Sequence, residues 1–216
     1  MTARTDSLAD LLGGRRGALD ATVPPVAFAV GWLAGGQSIG WGAVAAVVVA
    51  VGLAAWRIVR RHKVTAVLGS LAAVAAGALV ALYTGRAEDF FLIQLLSNVA
   101  SALAWTVSIL VRWPLLGVVV GGVLGQKARW RRDSDLLRAY SRASWVWVFG
   151  QYVLRTIVFG LLWWSGNVVA LSIARVALSW PLVAAVVALS AVVLRRTLPS
   201  GHPGLRHPRL PEPARH

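Results

Sequence analysis

Ionisable side chains that fall inside long apolar runs are where this sequence could do chemistry, because hydrocarbon tolerates them only when they are paired, wetted or functional. Arg155 is the clearest, lying well inside the apolar stretch from about Ala143 to Trp164. Gln151 at i−4 and Tyr152 at i−3 would give it a polar stripe on one helix face. Two readings stay open. One is a buried structural pair with Asp20, Glu88 or Asp89; the other is a site that binds or conducts a solute. Arg175 is expected at the outer edge of the last apolar run, near Asn167 and the acids Glu88 and Asp89. There it would form a surface ion pair or contact an anionic headgroup or substrate. Gly117, Gly121 and Gly125 make a tandem small-xxx-small pattern, which suits close helix contact or a re-entrant turn.

Catalysis has no visible constellation. The four histidines, His62, His202, His207 and His216, lack metal-ligand spacing, and the absence of cysteine excludes thiol nucleophiles, thiolate metal sites and disulfides. No zincin, nucleophile-elbow, phosphate-loop or dinucleotide motif occurs. No catalytic residue, metal or cofactor is therefore expected. A lipid-modifying enzyme would have to draw its acid or base from Asp20, Glu88 or Asp89.

The elements that must position these residues follow from composition. The 216 residues are 57% hydrophobic and 14% charged, with a mean hydropathy of +0.67. Soluble domains carry about 25% charged residues. Stretches of about 20 uncharged residues recur, the length that crosses roughly 30 Å of hydrocarbon. The sequence predicts an all-α integral membrane protein with about six transmembrane helices. A polar tail (1–17), a six-helix domain (18–196) and a disordered Pro- and Arg-rich tail (197–216) are expected. Residues 1–20 lack the continuous apolar core of a signal peptide, so the first apolar segment should remain as a helix.

The spans are predicted near Ala18–Ala34, Trp41–Trp56, Val64–Thr84, Phe90–Val111, Ala143–Trp164 and Val176–Leu194. Pro24 and Pro25 predict a kink or a late start in the first, since each removes a backbone donor. Phe90 to Gly125 carries a single charge, Arg112, and as one straight helix would reach roughly 54 Å. Two parses compete. Either the span ends at Val111 with Arg112 at the cytoplasmic edge and a re-entrant or interfacial segment over 112–125, or it covers Ala100–Leu124 with Arg112 near mid-depth. The first is preferred, because a central Arg costs about 2.5–3.5 kcal/mol on the insertion scale and Trp113-Pro114 suits an interface and a helix stop.

Basic residues set the orientation. Of 22 Lys and Arg, the segments taken as inside carry three, four, six or seven, and five, whereas the outer loops carry only Arg86 and Arg175. That asymmetry predicts both ends in the cytoplasm. The net charge of +14 is then explained by loops touching anionic headgroups, with no nucleic acid needed. Membrane-protein partners or self-association are the remaining partner classes. Among the 11 Trp, Trp32, Trp41, Trp56, Trp113, Trp163 and Trp164 fall near span ends as an aromatic belt, and Trp105, Trp145, Trp147 and Trp180 suit packing or a lined cavity.

Several short motifs carry a resemblance: Asp20 with Pro24-Pro25, Trp56-Arg57 running into Lys63, Glu88-Asp89-Phe90-Phe91, and Arg112-Trp113-Pro114-Leu115. Over roughly Ala18 to Arg196 the chain resembles an uncharacterised actinobacterial membrane family, the domain of unknown function 3159. That family is in turn distantly similar to the intracellular septation protein A family of inner-membrane proteins. The resemblance implies a bacterial inner-membrane location, a cytoplasmic-edge position for Arg112, and a non-enzymatic scaffold or accessory role in envelope maintenance or septation. The longer basic segment Gln126–Arg142 and the Gly-rich run depart from the septation protein's pattern. A small transporter or channel using Arg155 is the main alternative.

Overall fold

The computed structural model describes residues 14–60, 64–126, 128–205 and 208–209, the side chains of residues 14–21 and 66 excepted. The described residues are helical throughout, with no strand among them. In chain order they form α1 (Gly14–Ala34), α2 (Ile39–Val59), α3 (Val64–Thr84), a 3-10 turn (Ala87–Phe91) running into α4 (Leu92–Leu110), and α5 (Leu115–Val123). A second 3-10 turn (Arg129–Arg132) precedes α6 (Ser134–Val146), which passes through a π-helical segment (Trp147–Val153) into α7 (Leu154–Trp164). Then come α8 (Val168–Ala177) and α9 (Trp180–Thr197).

Five of these runs are long and apolar enough to cross a membrane: Ile39–Val59, Val67–Thr84, Ala87–Leu110, Ser134–Trp164 and Trp180–Thr197. Thr22–Ala34 and Val168–Ala177 are apolar but shorter. Large apolar side chains that a soluble protein would bury stand exposed, among them Val48, Leu79, Leu103, Leu161 and Ile173. These are the surfaces that lipid covers in a membrane protein.

The chain divides into two compact units. The first comprises residues 1–96 and 157–181. Here α1 and α2 form a hairpin whose turn uses positive φ at Gly36 and Gln37. Close approach depends on missing side chains: a Cβ on Gly31 would lie 2.6 Å from that of Ala45. Lipid offers no hydrophobic drive for helix pairing, so such van der Waals fit has to hold the pair together. At the centre Phe28, fully buried, stacks on Phe90 at 4.1 Å and meets Phe91 edge-on at 6.4 Å. The late start expected at Pro24-Pro25 is not found: the helix begins at Gly14 and includes both prolines. On α8, Ser172 Oγ donates to the Pro25 carbonyl at 3.3 Å, a contact that ties this irregular stretch to its neighbour.

The second unit comprises residues 97–156 and 182–216. Its core gathers Trp130, Leu136, Ala139, Tyr140, Ala143, Val186 and Leu194. The stretch around Arg112 breaks as the preferred parse requires. α4 ends at Leu110, Arg112 turns with φ +59°, and Pro114 caps α5. Trp113 N–H closes on the Ser108 carbonyl at 2.8 Å, while Ser108 Oγ accepts from Leu115 N–H at 3.3 Å, so the freed backbone groups are met locally. Nine residues make α5 only about 14 Å long, too short to cross, and Gly125 at φ +65° ends its turn. Gly117 serves contact: a Cβ there would sit 2.8 Å from the Trp130 ring.

Two boundaries move relative to expectation. The helix that carries the fifth predicted span begins at Ser134, ahead of Ala143, because Asp133 accepts from the N–H groups of Asp135 and Leu136 and caps it. The last segment is not one run from Val176. α8 is a helix of its own, closed when Leu178 N–H bonds the Ala174 carbonyl at 2.9 Å, and Pro181 stands in the first turn of α9, where its missing donor does no harm.

Candidate functional site

In the first unit the 3-10 turn Ala87–Phe91 and the ends of α7 and α8 assemble a polar cluster. Arg86 Nε donates to Glu88 Oε1 at 2.8 Å and its guanidinium lies 5.0 Å over the Trp163 ring. Asp89 is buried, and its Oδ1 accepts from Trp163 Nε1 at 2.8 Å. Arg175 reaches the side-chain oxygen of Gln94, a partner the sequence reading missed. Asn167, expected beside Arg175, caps α8 by accepting from Ala170 N–H at 2.9 Å. Trp163, expected in an aromatic belt, instead binds a carboxylate. Glu88 and Asp89, two of the three acids proposed as partners for distant arginines, are thus engaged by Arg86 and Trp163. Trp163→Phe removes the Asp89 donor and should lower stability by about 1.5–3 kcal/mol, read from thermal unfolding in detergent.

In the second unit Arg155 follows the π-helical segment by two residues. Its Nε is buried and without a hydrogen-bond partner, as is Gln151 Oε1, and among the described residues Arg155 makes no ion pair. The Asp20 side chain lies outside the described residues. Tyr152 packs 5.9 Å from Trp105, which stacks on Trp147 at 5.3 Å. A π turn widens a helix by one residue and is frequent at functional sites. Here it carries Gln151 and Tyr152 themselves. A guanidinium presents donors in a rigid fork matched to carboxylates and phosphates, so this arrangement can bind an anion or bridge water.

A third cluster was not anticipated at all. The Asp133 and His202 side chains are 3% and 1% exposed, and Asp133 Oδ2 lies 3.0 Å from His202 Nε2 and accepts from Arg209 N–H at 2.7 Å. Gly204 N–H donates to His202 Nδ1 at 3.0 Å, so the ring proton sits on Nε2 and donates to Asp133. Gln126 Nε2 adds a bond to the Leu205 carbonyl at 2.5 Å. Burial pushes the Asp133 carboxyl up, but the bonds from Arg209, His202 and Leu136 outweigh it and hold it below its usual 3.8. Residues 198–205 and 208–209, expected to be disordered, thereby include a strap fastened to the N-terminus of α6. The only sequence signal was Asp133 ahead of an apolar-periodic helix.

Arg112 is exposed, and its carbonyl accepts from Arg131 Nε at 3.2 Å, with the Arg131 guanidinium 4.6 Å over Trp113. Among the described residues no cluster of three metal-ligating side chains occurs.

Five apolar helices of crossing length, with no strand among the described residues, mark an all-helical membrane protein. The chain belongs to the family described as "Protein of unknown function (DUF3159)", which matches residues 12–200. No curated protein and no solved structure matches it.

Proposed function

We propose that this protein binds a small anionic solute within the membrane at Arg155 and passes it across, as a transporter or channel and not as an enzyme. One observation carries the reading: the Arg155 Nε is buried with no acceptor among the described residues, two residues after a π-helical segment that bears Gln151 and Tyr152. A structural arginine would be expected to hold a carboxylate, because an uncompensated buried charge is costly. Both ends in the cytoplasm and a bacterial inner-membrane location complete the proposal, resting on the basic loops.

Proteoliposomes carrying the purified chain, with chloride, inorganic phosphate and acetate as probes, test it. Flux of at least one probe above empty vesicles, reduced at least tenfold in Arg155→Gln, is expected. Flux equal to empty vesicles for all three would overturn it.

A second reading, a non-enzymatic scaffold or accessory factor in envelope maintenance or septation, is favoured by a different feature. Arg129, Arg131, Arg132, Arg138 and Arg142 are all exposed on one stretch of chain, suited to anionic headgroups or an acidic partner. In nanodiscs, stability indifferent to replacing a third of the phosphatidylcholine with phosphatidylglycerol would remove its lipid-contact part.

A further inference from the structure

Serine and threonine hydroxyls inside helices commonly bond a carbonyl three or four residues back. In this chain Ser70, Thr84, Ser108, Ser141, Ser165 and Ser179 do so, at 2.5–3.0 Å. Ser144 and Ser190, both buried in the second unit, do not, and nor does Thr156: among the described residues their hydroxyls have no partner. The exception is not isolated. Tyr140 Oη, Trp147 Nε1, Gln151 Oε1 and Arg155 Nε are likewise buried and unpartnered.

Tyr140, Ser144, Trp147, Gln151 and Arg155 are spaced four, three, four and four residues apart, which is one face of a helix. The residues of the same helical run that face outward, Phe149, Leu154, Ile157 and Leu161, are apolar and exposed. A membrane helix that presents hydrocarbon outward and a file of unmet donors and acceptors inward has the polarity of a wall along water. In a dry interior each such group would cost roughly 1–3 kcal/mol by mutational measure, and six in one unit would be hard to sustain. From Tyr140 to Arg155 is 15 residues, about 22 Å, most of the roughly 30 Å hydrocarbon thickness.

We infer that the second unit holds a hydrated polar track along this face, running from Tyr140 to Arg155, with Ser190 on α9 as a further polar side chain at its wall. Its ligand is water in a file, with a small anion at the Arg155 end. The track deepens the reading of Arg155 as an anion site and, in its anion end, rests on it. Water needs two to four polar partners to remain in a protein interior, and successive members of this file supply donors (Ser144, Trp147, Arg155) and acceptors (Tyr140, Ser144, Gln151) in alternating chemistry.

Radiolytic hydroxyl-radical labelling of the unmodified protein in nanodiscs tests it, because radicals generated from ordered water label the aromatic rings beside it. Tyr140 and Trp147 should be oxidised at least tenfold faster than Phe28, after scaling for intrinsic reactivity, although all three are buried. Labelling at the Phe28 level would overturn the track. Ser144→Val and Ser190→Ala, made singly in case one misfolds, should each lower Trp147 labelling several-fold, and unchanged labelling in both would also overturn it. Labelling without anion flux would remove the transport reading and leave the water file standing. Flux without labelling would do the reverse.

Discussion

Arg155→Leu should raise stability in detergent by up to about 3 kcal/mol, less the part that water at the site already offsets, while abolishing anion flux. The sign is the informative part. An arginine at mid-helix costs about 2.5–3.5 kcal/mol on the insertion scale, and leucine is favourable by a few tenths. Removing one member of a buried pair has the opposite effect, a loss of about 3–5 kcal/mol, because the acid is left behind uncompensated. A substantial rise in the unfolding midpoint with loss of flux therefore marks a residue kept for work and not for holding the fold. A fall in the midpoint would return Arg155 to the structural reading.

Asp133→Ala carries the second large effect, a loss of about 2–4 kcal/mol. It removes the helix cap, worth about 1 kcal/mol, together with the charge-assisted bonds to His202 and the Arg209 N–H. Trypsin should then cut after Arg209 at concentrations that spare the parent protein. Asp133→Asn, which keeps an acceptor oxygen for the cap, should lose less than half as much. The folded carboxyl lies below its usual value of 3.8, so the stability it contributes is present above that pH. It is lost as pH falls through the lower folded value, and titration from pH 6 to 3 should release the strap only at the acid end.

What the sequence made legible was whatever depends on transfer to hydrocarbon. Runs of uncharged residues located the long helices, and the cost of an intramembrane Arg chose the break at Arg112 over a helix through it. That break also had a local signature, since Trp113-Pro114 stops a helix without help from elsewhere. Boundaries set by single hydrogen bonds were harder to see. Asp133 moved the start of α6 nine residues ahead of the apolar run, and Pro181 separated α8 from α9 although hydropathy is continuous across them. Prolines misled in the other direction at Pro24-Pro25, where the helix starts ten residues ahead of the first proline.

The site was legible one residue at a time but not as an assembly. Arg155, Gln151 and Tyr152 could be placed on a common face from spacing alone. Their partners could not, and two of the proposed acids, Glu88 and Asp89, turn out to serve Arg86 and Trp163, 74 residues apart in the case of Asp89 and Trp163. The polar face was also undercounted: Ser144 and Ser190 are ordinary in a membrane helix, and only the absence of their usual backbone bond distinguishes them. Trp130, read as part of a basic loop, is fully buried because Gly117 leaves room for its ring.

At residue 209 the carboxylate of Asp133 is met by the main chain, so the letter written there matters less than the count of letters before it. Nineteen of the twenty amino acids supply that amide hydrogen, and proline alone withholds it. Drift in composition along the end of the strap should be tolerated where a single insertion or deletion between Thr197 and Arg209 would carry the amide out of reach.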